Sequence, residues 1–263
     1  MKADNQEPEL LQAIEQSTTL AGEVFARLRA DIVSSRLPPG TKLRLEDLRD
    51  TYGVGFSPLR EALSRLAENR LVVAIGQRGF RVPEVSAKEL TDIAMVRKEV
   101  EGFALRLAIR HGDDLWQARV AAASDAFAEL QHSSKKVAED VWESRHREFH
   151  AVLISACQSA WLTHLHGLLT DQFDRYRRLS AKSRLPNAPR WLIHREIANA
   201  AISRKADKAV KLLEDHITEA ARLIVAGLLA SGDQQSAPLP KRKRVAASRR
   251  FARSKRALTE LPR

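Results

Sequence analysis

The chain has 263 residues, enough for two domains with separate cores, and a single cysteine, which excludes an intrachain disulfide and any zinc site built on cysteines. No apolar run approaches the roughly 20 residues needed to cross a bilayer, and the first residues lack the apolar core of a signal peptide, so a soluble, cytoplasmic protein without membrane attachment is expected. The net charge of +11 invites a nucleic-acid partner, but residues 237–263 hold ten Lys or Arg against one Glu and leave only +2 for everything before them.

Residues 1–18 are polar, acidic and without periodicity, and are expected to form a mobile arm. The spacing of Leu20, Val24, Leu28 and Ile32 predicts an amphipathic helix that ends before the turn Pro38-Pro39-Gly40. Leu43, Leu45, Leu48 and Tyr52 mark a shorter helix stopping at Gly53. In a third, Ser57 is placed to cap and Pro58 to begin the helix. Leu59, Ala62, Leu63 and Leu66 then form one apolar side, with Arg60, Ser64 and the flanking Arg65 elsewhere. A positive helix whose N-terminus sits on a small-residue turn suits the DNA major groove, where side chains reach base edges and end N–H groups meet phosphate. Residues 71–75 and 80–82, around Gly76-Gln77-Arg78-Gly79, read as a two-stranded hairpin. Three helices and a hairpin outline a winged helix-turn-helix over 19–83. A plain three-helix bundle with scattered surface arginines is the alternative.

The run Leu-Arg-Ala-Asp-Ile-Val-Ser-Ser-Arg-Leu-Pro-Pro-Gly-Thr-Lys-Leu (28–43), then Ser-Pro-Leu-Arg-Glu-Ala-Leu-Ser-Arg-Leu (57–66) and Gln-Arg-Gly-Phe-Arg-Val (77–82), resembles the DNA-binding domain of the GntR family of bacterial transcriptional regulators. The resemblance implies DNA contacts from Arg60 and from the wing at Arg78 and Gly79, with Arg44, Phe56, Ser57 and Ser64 on the same surface. One departure stands out: the family commonly has an arginine where this chain has Phe56, which cannot bond guanine but can stack or touch a thymine methyl.

Ser86 and Glu89 read as a capping box opening a second domain, 84–232, in which only helical patterns follow, at 87–111, 113–132, 136–156, 160–182, 188–203 and 206–230. The fold class expected is therefore mainly α, a winged helix-turn-helix followed by an all-helical bundle. Val-Arg-Lys-Glu-Val-Glu (96–101), Glu-Phe-His (148–150), His194 and His216 make the bundle similar to the FCD ligand-binding domain of the FadR-type branch of that family.

His146 and His150 lie four apart on one helix face, and His194 and His216 sit on apolar faces of two further helices. Neutral imidazoles converging there suit a divalent ion, zinc first and nickel or a similar ion second. By spacing alone such histidines are more often core or surface residues than ligands. The resemblance implies three ligating histidines, matched by His150, His194 and His216, plus an aspartate whose place is taken here by His146. The pair Arg97 and Glu101 is either an ordinary surface ion pair or a cavity arginine that binds the carboxylate of a small organic-acid effector.

A metal-dependent helical enzyme fused to a DNA-binding module is the competing class. In a zinc-hydrolase helix the base directly follows the first histidine, whereas Glu148 falls about 200° round the helix from His146. Residues 233–263 lack an apolar face and are expected to be a basic disordered tail adding salt-sensitive attraction to DNA, which alone suggests a third class, an architectural DNA protein. A homodimer on a palindromic operator is expected, because one short helix reaches only a few base pairs.

Overall fold

The computed structural model describes residues 19–76, 79–132, 137–180 and 190–232. The arm, the tail and Arg78 therefore lie outside the described residues.

Helix α1 (Leu20–Val33) starts where the Thr19 hydroxyl accepts from the Gly22 N–H at 3.1 Å, and buries Val24, Leu28 and Ile32 along one stripe. After Thr41 comes a two-residue strand β1 (Lys42–Leu43), then α2 (Leu45–Tyr52), closed by Gly53 at φ 70°, a left-handed cap that favours glycine. Helix α3 (Phe56–Glu68) follows and buries Leu59, Ala62, Leu63 and Leu66 as the spacing predicts. Its start is two residues earlier than expected. Gly55, not Ser57, occupies the cap, and Pro58 falls on the third helical position, tolerated because first-turn N–H groups have no intrahelical acceptor.

The expected hairpin is smaller and has an extra partner. Strands β2 (Val73–Ala74) and β3 (Phe80–Arg81) pair antiparallel, and β1 pairs with the other side of β3, giving the order β1-β3-β2. Leu71 and Val72 do not belong to the strand. Both are buried in the helical core, and successive side chains cannot face the same way on a pleated strand.

The bundle comprises α4 (Ala87–His111), α5 (Asp114–His132), α6 (Glu139–Ile154), α7 (Ala160–Leu179), α8 (Arg190–Ile202) and α9 (Ala206–Gly232). Helix α4 runs centrally against α9, α7 and α6, while α5 packs on α6 and α8. The cap at its start differs instructively from the sequence pattern. Ser86 accepts from the Glu89 N–H at 3.1 Å, but the reciprocal half is taken by Tyr176 of α7, which accepts from the Ser86 N–H at 3.3 Å and donates to the Glu89 carboxylate.

Two separate apolar clusters result, one from Val24 to Val82 and one from Leu90 to Ile224. Between them α1 packs on α7, and polar bonds cross the border: Arg29 of α1 to Asp171, Gln172 Nε2 to the Asn69 carbonyl at 2.7 Å, and Arg175 to the Pro83 carbonyl at 3.0 Å.

Candidate nucleic-acid interface and metal centre

On α3 the spacing that sinks the leucines leaves Ser57, Arg60 and Ser64 exposed on the opposite side, with Phe56 at the helix start 40% exposed. Arg44, the residue before α2, is exposed as well, and Gly79, at φ 92°, is half-buried in the wing beside β3. Two arginines behave differently from what spacing suggests. Arg65 lays its guanidinium over the Phe25 ring at 4.6 Å and so braces α3 against α1. Arg49 of α2, not singled out by the sequence, stands 5.3 Å over the ring of Phe56. A positive charge is thereby brought to the start of α3, where the family's arginine is missing. No motif signals it, since six residues and a helix break separate the two.

The second site lies within the bundle. His146 and His150 come from α6, His194 from α8 and His216 from α9, and each offers a ring nitrogen within 4.8 Å of the others. His146, His150 and His194 are buried and His216 half-buried. Both ring nitrogens of His150 are enclosed with no hydrogen-bond partner among the described residues, a costly state for polar atoms that a bound cation would relieve. Burial, then Arg177 and the neighbouring imidazoles, holds His146 well below the usual histidine range; burial and the other histidines do the same for His150. Neutral imidazoles with free lone pairs are the form a metal needs. The donor set therefore fits a divalent borderline ion.

The histidines line a cavity of ≈ 470 Å³, also bounded by Arg97, Arg177, Trp142, Phe173 and Ile193. Arg97 is no surface residue. It is 4% exposed, it donates from Nε to Glu101 at 2.6 Å, and its guanidinium lies 4.6 Å over the Phe173 ring. Burial alone would raise the Glu101 carboxyl, but Arg97, with help from His166 at 3.2 Å, lowers it to about 2. Glu148, the carboxylate between His146 and His150 in sequence, is exposed and bonded to Arg145 at 2.7 Å. It does not join the cluster.

What sequence reasoning missed is the polar half of α7. Asp171 accepts from Arg29 and from Arg147 at 2.7 Å, Arg147 reaches Asp174 at 2.6 Å, Asp174 accepts from Arg177 at 2.7 Å, and Arg177 also contacts Glu143 and the Nδ1 of His146. This run connects the histidine cluster to α1 of the winged helix. Its only sequence signal is a charged stretch, Asp171 to Arg178, on an otherwise apolar-patterned helix.

Among the described residues no helix is long and apolar enough to cross a membrane. The FCD domain matches residues 92–219, and the family described as bacterial regulatory proteins, gntR family, matches residues 20–82. The HTH-type transcriptional regulator BphR of Paraburkholderia xenovorans (strain LB400) is 38% identical over 76% of this chain and 82% of its own length. The HTH-type transcriptional repressor GlaR of Escherichia coli (strain K12) is 32% identical over 76% of this chain and 92% of its own. Among solved structures, E. coli McbR/YncC has the same fold, with a TM-score of 0.68 at 18% identity over 80% of this chain and 99% of that one. The winged helix at one end, the histidine-lined helical bundle at the other and these relatives together make the chain a member of the GntR family of DNA-binding transcriptional regulators, with an FCD effector domain.

Proposed function

We propose that the protein is a cytoplasmic repressor that binds a palindromic operator as a homodimer and releases it when a small organic acid occupies the bundle. The observation that carries this reading is the shared cavity: a cluster of four histidines able to hold a divalent ion, with Arg97 lining the same cavity. A metal with an open position and a fixed guanidinium are complementary to a carboxylate, the ion to one oxygen and the arginine to another. Zinc is the ion assigned, nickel the substitute.

Operator contacts fall to Arg60, Ser57, Ser64 and Phe56 of α3, to Arg44, and to Arg78 and Gly79 of the wing, with Arg49 supplying charge over Phe56. Phe56 contacts a thymine methyl. Exposed apolar side chains on α4 and α7, Phe103 at 57% and Trp161 at 76%, supply surface for a second copy of the chain. The enzyme reading finds no support in the position of Glu148.

The test is fluorescence anisotropy of the full chain on DNA from its own upstream region, with and without Zn²⁺, followed by titration with dicarboxylic, hydroxy and amino acids. A salt-resistant preference for one palindrome, weakened by one acid class only when zinc is present, is the expected result. Equal affinity for all duplexes, or release indifferent to every acid, overturns the reading.

A further inference from the structure

Arg177 of α7 lies with Nη1 2.7 Å from Nδ1 of His146. A guanidinium has only donors and keeps its charge at any ordinary pH, so Nδ1 must be the acceptor and its lone pair is engaged. The neutral ring then carries its proton on Nε2. Neither nitrogen of His146 has a lone pair to give a metal unless the ring loses a second proton.

The arrangement is fixed from several sides. Arg177 is 8% exposed and is bonded through Nη2 to Asp174 at 2.7 Å and to Glu143, two carboxylates that hold the guanidinium in place. The Trp142 ring stacks on His146 at 4.9 Å and an interplanar angle of 12°, and Arg177 sits 5.4 Å over the same indole. Rotation of the imidazole by half a turn would set an N–H or a C–H against a permanently charged donor.

We infer that His146 is a hydrogen-bond donor beside a three-histidine metal site made by His150, His194 and His216, and that Arg177 is the positioning residue that keeps it so. The inference rests on the metal reading above and divides the four histidines by role. Its consequence for the ligand is chemical. Three neutral imidazoles leave the full charge of a divalent ion and an open position, and the Nε2–H of His146 can bond only to an acceptor. The occupant is then an anion with at least two acceptor atoms, one for the metal and one for His146, as in a carboxylate. Arg97 can pair with a further oxygen.

Two measurements on the full chain test this. In long-range ¹H–¹⁵N correlation spectra, His146 should show an unprotonated Nδ1 and a protonated Nε2 without and with Zn²⁺, while the other three imidazoles shift on metal addition. In calorimetric Zn²⁺ titrations, His146→Gln should change affinity about threefold at most, against a loss of about a hundredfold or more for His150→Gln. A Zn²⁺-dependent shift at a His146 nitrogen, or equal losses in the two variants, overturns the inference and leaves the metal reading standing. Failure of the unmodified chain to bind Zn²⁺ overturns both. Should His146→Gln not fold, the spectra of the unmodified chain decide alone.

Discussion

The two regions of this molecule place their charge in opposite ways. In the winged helix, residues 19–82, every described Asp, Glu, Lys and Arg is exposed or half-exposed, and the core is built from Val24, Leu28, Ile32, Leu59, Leu63 and their neighbours. In the bundle, Arg97, Glu101, Glu143, Asp171, Asp174, Arg175 and Arg177 are all buried, beside His146, His150, His166 and His194. The first region is an apolar scaffold that carries its function on the outside. The second spends burial on ions, which is costly unless each is paired, and so its function lies inside.

The largest effect that sharpens the contrast comes from the scaffold. Leu63 is fully enclosed, and Leu63→Ala should cost about 2–5 kcal/mol of winged-helix stability. Urea unfolding followed by circular dichroism reads it. All four tryptophans, Trp116, Trp142, Trp161 and Trp191, lie in the bundle, so their fluorescence should unfold almost as before.

Acid should separate the regions in the other direction. The Glu101 carboxyl titrates at about 2 in the folded chain against an ordinary value of 4.5. Its folded value is depressed, so its contribution is complete above pH 4.5 and fades as pH falls towards 2. The loss is about 3 kcal/mol, carried by the bundle. Tryptophan-monitored unfolding should weaken over that window, and Glu101→Gln should flatten the change. An equal acid sensitivity of the winged helix would break the comparison.

That division also governs what the sequence makes legible. Apolar spacing locates α1, α3 and α4, because 3.6-residue periodicity is what burial of one face requires. Leu71 and Val72 mislead, since β-favouring residues turned inward into a helical core look like a strand. The four histidines are found because imidazoles on apolar faces are rare enough to notice and the family pattern orders them. Asp171, Asp174 and Arg177 are not found: a charged residue reads as solvent-facing unless its partner is known, and their partners sit on α1 and α6, far away in sequence. Arg97 and Glu101 show the same limit, since their i to i+4 spacing is identical whether the pair is exposed or enclosed.

Smaller than either core effect is the cost of removing an outward-facing reader. Arg60 is exposed and makes no hydrogen bond or ion pair among the described residues, so Arg60→Ala should leave unfolding unchanged and cost about 1–3 kcal/mol of specific operator binding. Anisotropy at fixed salt, on operator and on scrambled duplex, separates the two affinities. Full operator affinity in the variant would mean that α3 does not read DNA through this face.

The smallest expected change falls on the border between the regions. Arg29 of α1 grips Asp171 with two nitrogens, the second at 2.5 Å. Its side chain is 35% exposed, and Asp171 retains Arg147 when Arg29 is removed. Arg29→Ala should therefore cost only about 1 kcal/mol, because no buried charge is left alone. Its informative effect is on coupling. Asp171 is joined through Arg147, Asp174 and Arg177 to His146, so the pair is the last step of a contiguous ionic path from the cavity to the helix that braces α3. If that path transmits occupancy, operator affinity in Arg29→Ala should stop responding to Zn²⁺ while remaining close to that of the parent protein. A response of undiminished size would assign transmission to the neighbouring contacts of Gln172 with Asn69 and Arg175 with Pro83, which hold the end of α3 and the connecting segment directly.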